Sequence, residues 1–116
     1  AVKNKKVLRK DGTGDQSRDL CYIDNVVSAN ILAASYSSRL SGRFFNVACG
    51  DRTSNNEILQ HFKEKFHQLK IKQAPFRPGD VMHTQADISD SIEILGYKPL
   101  VRFWDGLDRT FDWWGI

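Results

Sequence analysis

The apolar positions of one segment recur at helical spacing. They fall three or four residues apart and share one face: Ile58, Leu59, Phe62, Phe66 and Leu69. Ser54 and Glu57 precede this stripe in a Ser-x-x-Glu capping box, in which each residue satisfies a free amide of the other's first turn. The pattern predicts an amphipathic helix that begins beside Ser54.

A second segment is apolar on nearly every side. Its apolar residues are Val26, Val27, Ala29, Ile31, Leu32, Ala33 and Ala34. Asp24 stands at the position of an N-cap, where a short carboxylate accepts hydrogen bonds from the first free amides. We therefore predict a helix that is capped by Asp24 and buried on more than one side.

Four short runs and two further helical patterns complete the chain. Strands are predicted at residues 7–8, 18–23, 44–48 and 71–74. A short helix over 90–95 is ended by a glycine. The last helix carries an aromatic stripe that would pack in the core or against a further domain: Phe103, Leu107, Phe111 and Trp114.

The order of these elements predicts the fold class and the domain content. Strands and helices alternate, which is typical of an α/β fold with a small mixed sheet and covering helices. A length of 116 residues suits one domain with one core, so residues 1–116 are taken as a single unit. The chain starts without an initiator methionine, so we expect a fragment of a longer protein.

Charge and composition limit the classes of ligand and partner that the chain is expected to bind. The formal net charge of +3 favours an anionic ligand but is too small for a nucleic-acid groove. No apolar run approaches the roughly 20 residues of a membrane span, so no membrane partner is expected. Cys21 and Cys49 lie in apolar runs and are interpreted as free thiols in the reducing cytoplasm, with one disulfide between them as the alternative.

Most catalytic and metal-binding motifs are missing. The sequence has no Gly-x-Gly-x-x-Gly dinucleotide loop, no Walker lysine and no Cys-x-x-Cys pair. His61, His67 and His83 are not spaced as metal ligands. We therefore predict no metal site and no catalytic residue within this chain.

Two arginine segments remain as candidate chemistry. Arg18 follows a glycine-rich turn, and Arg77 precedes Pro-Gly-Asp, so each lies beside turn residues and a carboxylate. Alone, Arg18 could form a surface ion pair with Asp15 or Asp19, and Arg77 could belong to an ordinary charged loop. Together, two planar guanidinium groups from separate loops would suit the oxygens of a diphosphate.

The same segments carry a family resemblance over nearly the whole chain. Residues 11–27, 45–50, 76–81 and 95–99 read Asp-Gly-x-Gly-x-Gln-x-Arg-Asp-Leu-Cys-Tyr-Ile-Asp-Asn-Val-Val, Phe-Asn-Val-Ala-Cys-Gly, Phe-Arg-Pro-Gly-Asp-Val and Leu-Gly-Tyr-Lys-Pro. In that order they resemble the C-terminal, substrate-binding lobe of extended short-chain dehydrogenase/reductases, in the NAD-dependent sugar-nucleotide epimerase/dehydratase family. The resemblance is greatest to the UDP-N-acetylglucosamine 4-epimerase branch.

The resemblance implies that substrate binding and catalysis are carried out by different lobes. In the family, a Rossmann lobe binds NAD and supplies a Tyr-x-x-x-Lys pair, and the sugar C4 hydroxyl is inverted by oxidation and re-reduction for surface polysaccharide biosynthesis. In this chain the residues four positions after its three tyrosines are not lysines: Val26, Leu40 and Val101. The resemblance thus implies that NAD is bound outside this chain, which alone would be inactive, and that the parent protein is a homodimer.

Site residues carry over by position. Arg18 and Arg77 match the arginines on the UDP diphosphate, and Asp80 matches the carboxylate on the ribose. Asn55 and Leu20 stand where the family has an apolar and an aromatic residue near the base. Thr84 stands beside the sugar, where a small side chain would leave room for an N-acetyl group.

Three alternatives stay open at this stage. The chain could be the corresponding lobe of a UDP-glucuronate epimerase or decarboxylase, or of a nucleotide-sugar 4,6-dehydratase, because these enzymes share the phosphate contacts. It could instead be a non-catalytic nucleotide-sugar binding module. In each case the first helix and the aromatic stripe would expose apolar surface when no second lobe covers them, and the chain would self-associate or be less stable.

Overall fold

The computed structural model describes all 116 residues and contains four helices and four short strands. In chain order they are β1 (Leu8–Asp11), β2 (Ser17–Arg18), α1 (Ile23–Ala34), β3 (Thr53–Ser54), α2 (Asn55–Lys65), β4 (Ile71–Ala74), α3 (Ser89–Leu95) and α4 (Phe103–Trp114). The small α/β fold expected from the sequence is confirmed.

The strands form two separate pairs instead of the one small mixed sheet that was predicted, because each strand is only two to four residues long. β1 and β4 are parallel, with Leu8 opposite Ile71 and Asp11 opposite Ala74. β2 and β3 are antiparallel, and one parallel bridge adds His83 beside Ser17. Because β1 and β4 run in the same direction, the loops that follow them leave from the same edge, which is where open α/β sheets bind ligands.

Helix α2 begins as the capping box predicts. The backbone amide of Glu57 donates to Ser54 Oγ over 3.2 Å, and the Glu57 carboxylate accepts from the Ser54 amide over 2.7 Å. The hydrogen bonds from Ser54 lower the pKa of the Glu57 carboxyl. The apolar stripe of α2 packs on α4: the rings of Phe62 and Phe66 meet the buried ring of Phe111 edge to face, with centroids 4.8 and 5.2 Å apart.

Helix α1 departs from the sequence prediction in two ways. Tyr22, not Asp24, precedes its first residue without a side-chain cap, and Asp24 lies in the first turn, where it accepts a hydrogen bond from Arg109. Burial on more than one side is also wrong. Ile23, Val27 and Ile31 lie four residues apart on one face and are 59, 48 and 60% exposed, because no element of the chain packs there.

The predicted strands 18–23 and 44–48 are largely absent. Only Arg18 of the first lies in a strand, and residues 44–48 pair with no other strand. Side chains satisfy its carbonyls instead: Ser91 Oγ donates to the carbonyl of Asn46, and Tyr97 Oη donates to that of Ala48 over 2.9 Å. Backbone carbonyls with such partners need no neighbouring strand.

Buried polar side chains connect the remaining loops. Asn25 is fully buried, donates to the carbonyl of Val101 over 2.8 Å, and accepts from the amides of Leu100 and Val101 over 2.8 and 3.0 Å. Both carboxylate oxygens of Asp19 accept backbone amides of residues 49–50 over 3.0 Å. These bonds fix α1 and β2 to the loops that precede α2 and α4.

Two further predictions concern the cysteines and membrane-spanning segments. Cys21 and Cys49 are both free, as interpreted from their apolar surroundings, and burial raises the pKa of each thiol. None of the helices is long and apolar enough to cross a bilayer.

Candidate functional site

A cavity of about 400 Å³ lies where β1, β2, α2 and the loop after β4 meet. Its lining combines apolar side chains with charged ones, in which four cations outnumber two carboxylates. The residues are Leu8, Arg9, Lys10, Asp11, Arg18, Asn55, Ile58, Leu59, Phe62, Arg77 and Asp80. A concave site with apolar walls and a few convergent charges is the usual form of a small-molecule site.

Asp11 holds two arginines at the mouth of this cavity. Its Oδ1 accepts from Arg9 Nε over 2.6 Å, and its Oδ2 accepts from Arg77 Nη2 over 2.9 Å. Hydrogen bonds from Arg9 and then Arg77 lower the pKa of the Asp11 carboxyl. Parallel pairing places Asp11 opposite Ala74, so Arg77, three residues after β4, can reach back to it.

Arg18 forms the second ion pair of the cavity. Its Nη2 donates to Asp80 Oδ1 over 2.7 Å, while its Nη1 donates to the carbonyls of Ser17 and Met82 over 2.8 and 3.3 Å. An ion pair with Asp15 or Asp19 is therefore wrong as the interpretation of Arg18. The pair is about one-third exposed on the arginine side and one-quarter on the aspartate side.

Two glycines shape the loop between β1 and β2. Gly12 and Gly14 have φ of +63 and +86°, a region that residues with a Cβ rarely adopt. A Cβ on Gly14 would lie 2.2 Å from Asn56 Oδ1, and one on Gly12 would lie 2.5 Å from the ring of Phe76. Glycine therefore lets this turn pack closely against α2 and against the loop that carries Arg77.

The comparisons with known proteins bear on what such a cavity binds. No protein-family model matches the chain. A putative UDP-glucose 4-epimerase of Methanocaldococcus jannaschii is 32% identical over 104 residues, which cover 88% of this chain and 32% of that protein. The dTDP-glucose 4,6-dehydratase 1 of Escherichia coli is 25% identical over 118 residues, covering 94% of this chain and 32% of that protein.

Solved structures match over the same region. The Thermotoga maritima UDP-glucose 4-epimerase with UDP-glucose and the Methanobrevibacter ruminantium UDP-N-acetylglucosamine 4-epimerase with UDP-N-acetylmuramic acid each have a TM-score of 0.84 and 29% identity. They are covered to 36%, and this chain to 97 and 98%. The Bacillus cereus UDP-glucuronic acid 4-epimerase with UDP-glucuronic acid and NAD has a TM-score of 0.85 and 27% identity, with 95% of this chain and 35% of that chain covered.

The chain belongs to the NAD-dependent sugar-nucleotide epimerase/dehydratase family. It has the fold of the C-terminal lobe of these extended short-chain dehydrogenase/reductases, and it spans about a third of the length of the relatives it matches. The family's expected cofactor is confirmed by similar epimerase structures that hold NAD.

Four of the six residues predicted from the epimerase/dehydratase family resemblance line the one cavity. They are Arg18, Asn55, Arg77 and Asp80. The other two lie outside its lining: Leu20 is half-buried in the segment between β2 and α1, and Thr84 is exposed, its amide donating to the carbonyl of Ser17 over 3.1 Å. The two arginine segments therefore converge on one cavity, as predicted. Of the residues assigned beside the base and the sugar, Asn55 lines this cavity and Leu20 and Thr84 do not.

Sequence reasoning missed other members of the lining. Arg9 and Lys10 both line the cavity, although neither was predicted as a site residue. Ile58 and Phe62 of the apolar α2 stripe also line this space, although no ligand contact was predicted for that stripe. These residues could be assigned to the site only from the β1–β4 register, which brings charged residues of the strand ends together beside α2.

Proposed function

We propose that this chain is the nucleotide-sugar binding lobe of a UDP-hexose 4-epimerase with UDP-N-acetylglucosamine as its substrate. The observation that carries the proposal is the single cavity that gathers Arg18, Arg77 and Asp80 from loops about 60 positions apart. In the whole protein, the sugar C4 hydroxyl would be inverted by NAD-dependent oxidation and re-reduction, for surface polysaccharide biosynthesis in the cytoplasm.

The charges of the cavity suit a diphosphate. An arginine carries five N–H donors, and Arg77 spends one of them on Asp11. Arg9 likewise donates only its Nε there. Their remaining donors can bind phosphate oxygens without breaking the existing pairs, and hydrogen bonds between ionised groups are the strong ones. Lys10 adds a further positive charge to the lining.

The remaining lining divides between ribose and base. Asp80 would accept from the ribose hydroxyls while it keeps its hydrogen bond from Arg18. The base would lie near Asn55 at the start of α2 and against Ile58 and Phe62. A planar base buries apolar area against such side chains, which contributes about 25 cal/mol for each Å² removed from water.

NAD would be bound by residues outside this chain, because the 116 residues contain neither the glycine motif nor the Tyr-x-x-x-Lys pair of the family. NAD would supply the hydride acceptor and donor. This chain's own residues would bind and orient the nucleotide so that the sugar extends toward the catalytic groups. We accordingly propose that these residues alone have no epimerase activity.

Calorimetric titration with UDP tests the proposal. Arg77→Gln and Arg18→Gln should each weaken binding by about 10- to 150-fold, since a hydrogen bond to a charged group contributes about 1.5–3 kcal/mol. Arg109→Gln is the matched control, because Arg109 pairs with Asp24 on the helical surface, outside the cavity lining. Unchanged affinity in both cavity variants would reject the proposal.

A UDP-glucuronate 4-epimerase is the second candidate. The Bacillus cereus structure with UDP-glucuronic acid is as similar as the UDP-N-acetylglucosamine 4-epimerase, with TM-scores of 0.85 and 0.84. Thr84, the one residue assigned to the sugar, lies outside the cavity and does not favour either substrate. Product analysis of the whole protein with each UDP-sugar would distinguish the two candidates.

A further inference from the structure

Gln16 is a buried polar residue behind the cavity. It is 1% exposed and does not belong to the cavity lining. Its Oε1 accepts from the amide of Gly14 over 3.0 Å, and its Nε2 donates to the carbonyl of Asp11 and to Asp80 Oδ2, each over 3.2 Å. One side chain thus joins the glycine turn, the end of β1 and the Asp80 loop.

The hydrogen bond to Asp80 completes the support of that carboxylate. Arg18 Nη2 donates to Oδ1 and Gln16 Nε2 donates to Oδ2, so both oxygens are held from within the protein. Two such contacts fix the plane of the carboxylate, whereas Arg18 alone would leave it free to rotate. The direction in which Asp80 presents its remaining lone pairs to the cavity therefore depends on Gln16.

The backbone of Gln16 anchors a further part of the site. Its carbonyl accepts from the amide of Asn55 over 2.9 Å, at the first residue of α2. A carboxamide can donate to Asp80 while accepting from the Gly14 amide at any pH in the working range. An ionised glutamate in its place would have no donor and would put a second negative charge beside Asp80.

We infer that Gln16 is a positioning residue for nucleotide binding: it orients Asp80, and through Asp80 the guanidinium of Arg18, without touching the ligand. This inference rests on the proposed function, because it assigns a role in the affinity of the same cavity. Gln16 would support the residues that contact the ligand from behind the cavity, without contacting the ligand itself.

The test is the pH dependence of affinity in Gln16→Glu. UDP-N-acetylglucosamine is the titrant, because its diphosphate is esterified at both ends and does not ionise further between pH 5 and pH 8. At pH 8 the variant should bind at least about tenfold more weakly than wild type, because the ionised glutamate repels Asp80. Toward pH 5 most of this loss should be recovered, since the neighbouring carboxylate raises the pKa of the new acid and its protonated form can donate again.

Two further variants separate positioning from general destabilisation. Gln16→Leu cannot donate at any pH, so its weaker binding should not recover. Gln60→Glu makes the same substitution on the exposed surface of α2, outside the cavity lining, and should bind like wild type at both pH values. A merely structural role of Gln16 would lower the melting temperature of Gln16→Glu without a pH-dependent recovery of affinity beyond that of wild type.

The outcomes distinguish this inference from the proposed function. Failure of wild type to bind the titrant at any pH would overturn both. Binding by wild type together with equal affinity in Gln16→Glu at pH 8, or a loss that does not recover at pH 5, would overturn the role of Gln16 alone. If Gln16→Glu does not fold at pH 8, Gln16→Met replaces it, and wild-type affinity in that variant would overturn the inference.

Discussion

Arg77 and Asp11 form an ion pair over 2.9 Å although 66 positions separate them in the chain. Asp11 is the last residue of β1, and Arg77 lies three residues beyond the parallel partner strand β4. The same carboxylate also binds Arg9. The carboxylate of Asp11 therefore offsets part of the positive charge that these two guanidinium groups present to an anionic ligand in the cavity.

Replacing Asp11 by asparagine should strengthen the binding of UDP. The substitution removes the negative charge that opposes the ligand, so we expect a gain of up to about fivefold at neutral pH and low salt. Calorimetry in 50 mM and 300 mM salt would show the gain and its screening. Asp51→Asn is the control, because Asp51 pairs with Arg102 outside the cavity lining. Weaker binding by the Asp11 variant would mean that Asp11 orients the arginines more than it offsets their charge.

Replacing Asn25 by alanine should destabilise the fold strongly. The change removes three hydrogen bonds at once, from the amides of Leu100 and Val101 and to the carbonyl of Val101. Each unsatisfied buried group costs about 1–3 kcal/mol, so a loss of about 3 kcal/mol or more is expected in urea unfolding. Asn30→Ala on the same helix removes only an exposed bond to the carbonyl of Val26 and should change the free energy of unfolding by less than about 0.5 kcal/mol. Equal effects of the two substitutions would contradict this account of Asn25.

Tyr97 should make the protein lose stability in alkali. The ring is fully buried and its hydroxyl donates to the carbonyl of Ala48, and burial raises the pKa of the phenol far above its ordinary value of 10.0. The unfolded chain then gives up this proton first, so the contribution is complete below pH 10 and is lost as the pH rises further. Urea unfolding between pH 9 and pH 11 would measure the slope.

Tyr97→Phe should flatten that slope. It should also cost about 1–3 kcal/mol at pH 7, because the carbonyl of Ala48 loses its donor. Tyr36→Phe is the matched control, since Tyr36 is exposed and its removal should leave the alkaline loss as in wild type. An alkaline slope that persists unchanged in Tyr97→Phe would assign the loss to another group.

The exposed face of α1 should drive self-association. Ile23, Val27 and Ile31 form an apolar row that no other element covers, and exposed apolar patches of this kind mark interaction surfaces. Val27→Lys in the middle of the row should shift sedimentation of these 116 residues toward the monomer. Val7→Gln, an equally exposed apolar position outside α1, should leave the association unchanged. A wild-type chain that is monomeric at every concentration would contradict this prediction.

What could be predicted from the sequence was mostly local. The start of α2 depends on Ser54 and Glu57, three positions apart, and the end of α3 depends on Gly96, whose φ of +68° suits glycine. Such signals act within one turn and can be identified without the rest of the chain. The strand that ends before Pro75 was likewise predicted at its observed position.

The predictions were wrong where residues distant in the sequence determine the local structure or the partner of a side chain. Residues 44–48 have the composition of a strand, but Ser91 and Tyr97 supply the hydrogen bonds that a neighbouring strand would have given. The partner of Arg18 is Asp80, 62 positions away, rather than a carboxylate close in sequence. The apolar character of α1 was visible, but which of its faces would be covered was not.

The parallel pairing of β1 with β4 has a consequence for how binding and folding are linked. A ligand that contacts both Arg9 on β1 and Arg77 beyond β4 joins two ends of a segment of about seventy residues and acts as a reversible cross-link. Its affinity is therefore added to the global free energy of unfolding by mass action, by about 2.7 kcal/mol at a hundredfold excess over Kd. Partial opening that separates the two strands releases the ligand, so occupancy protects the whole molecule rather than one loop.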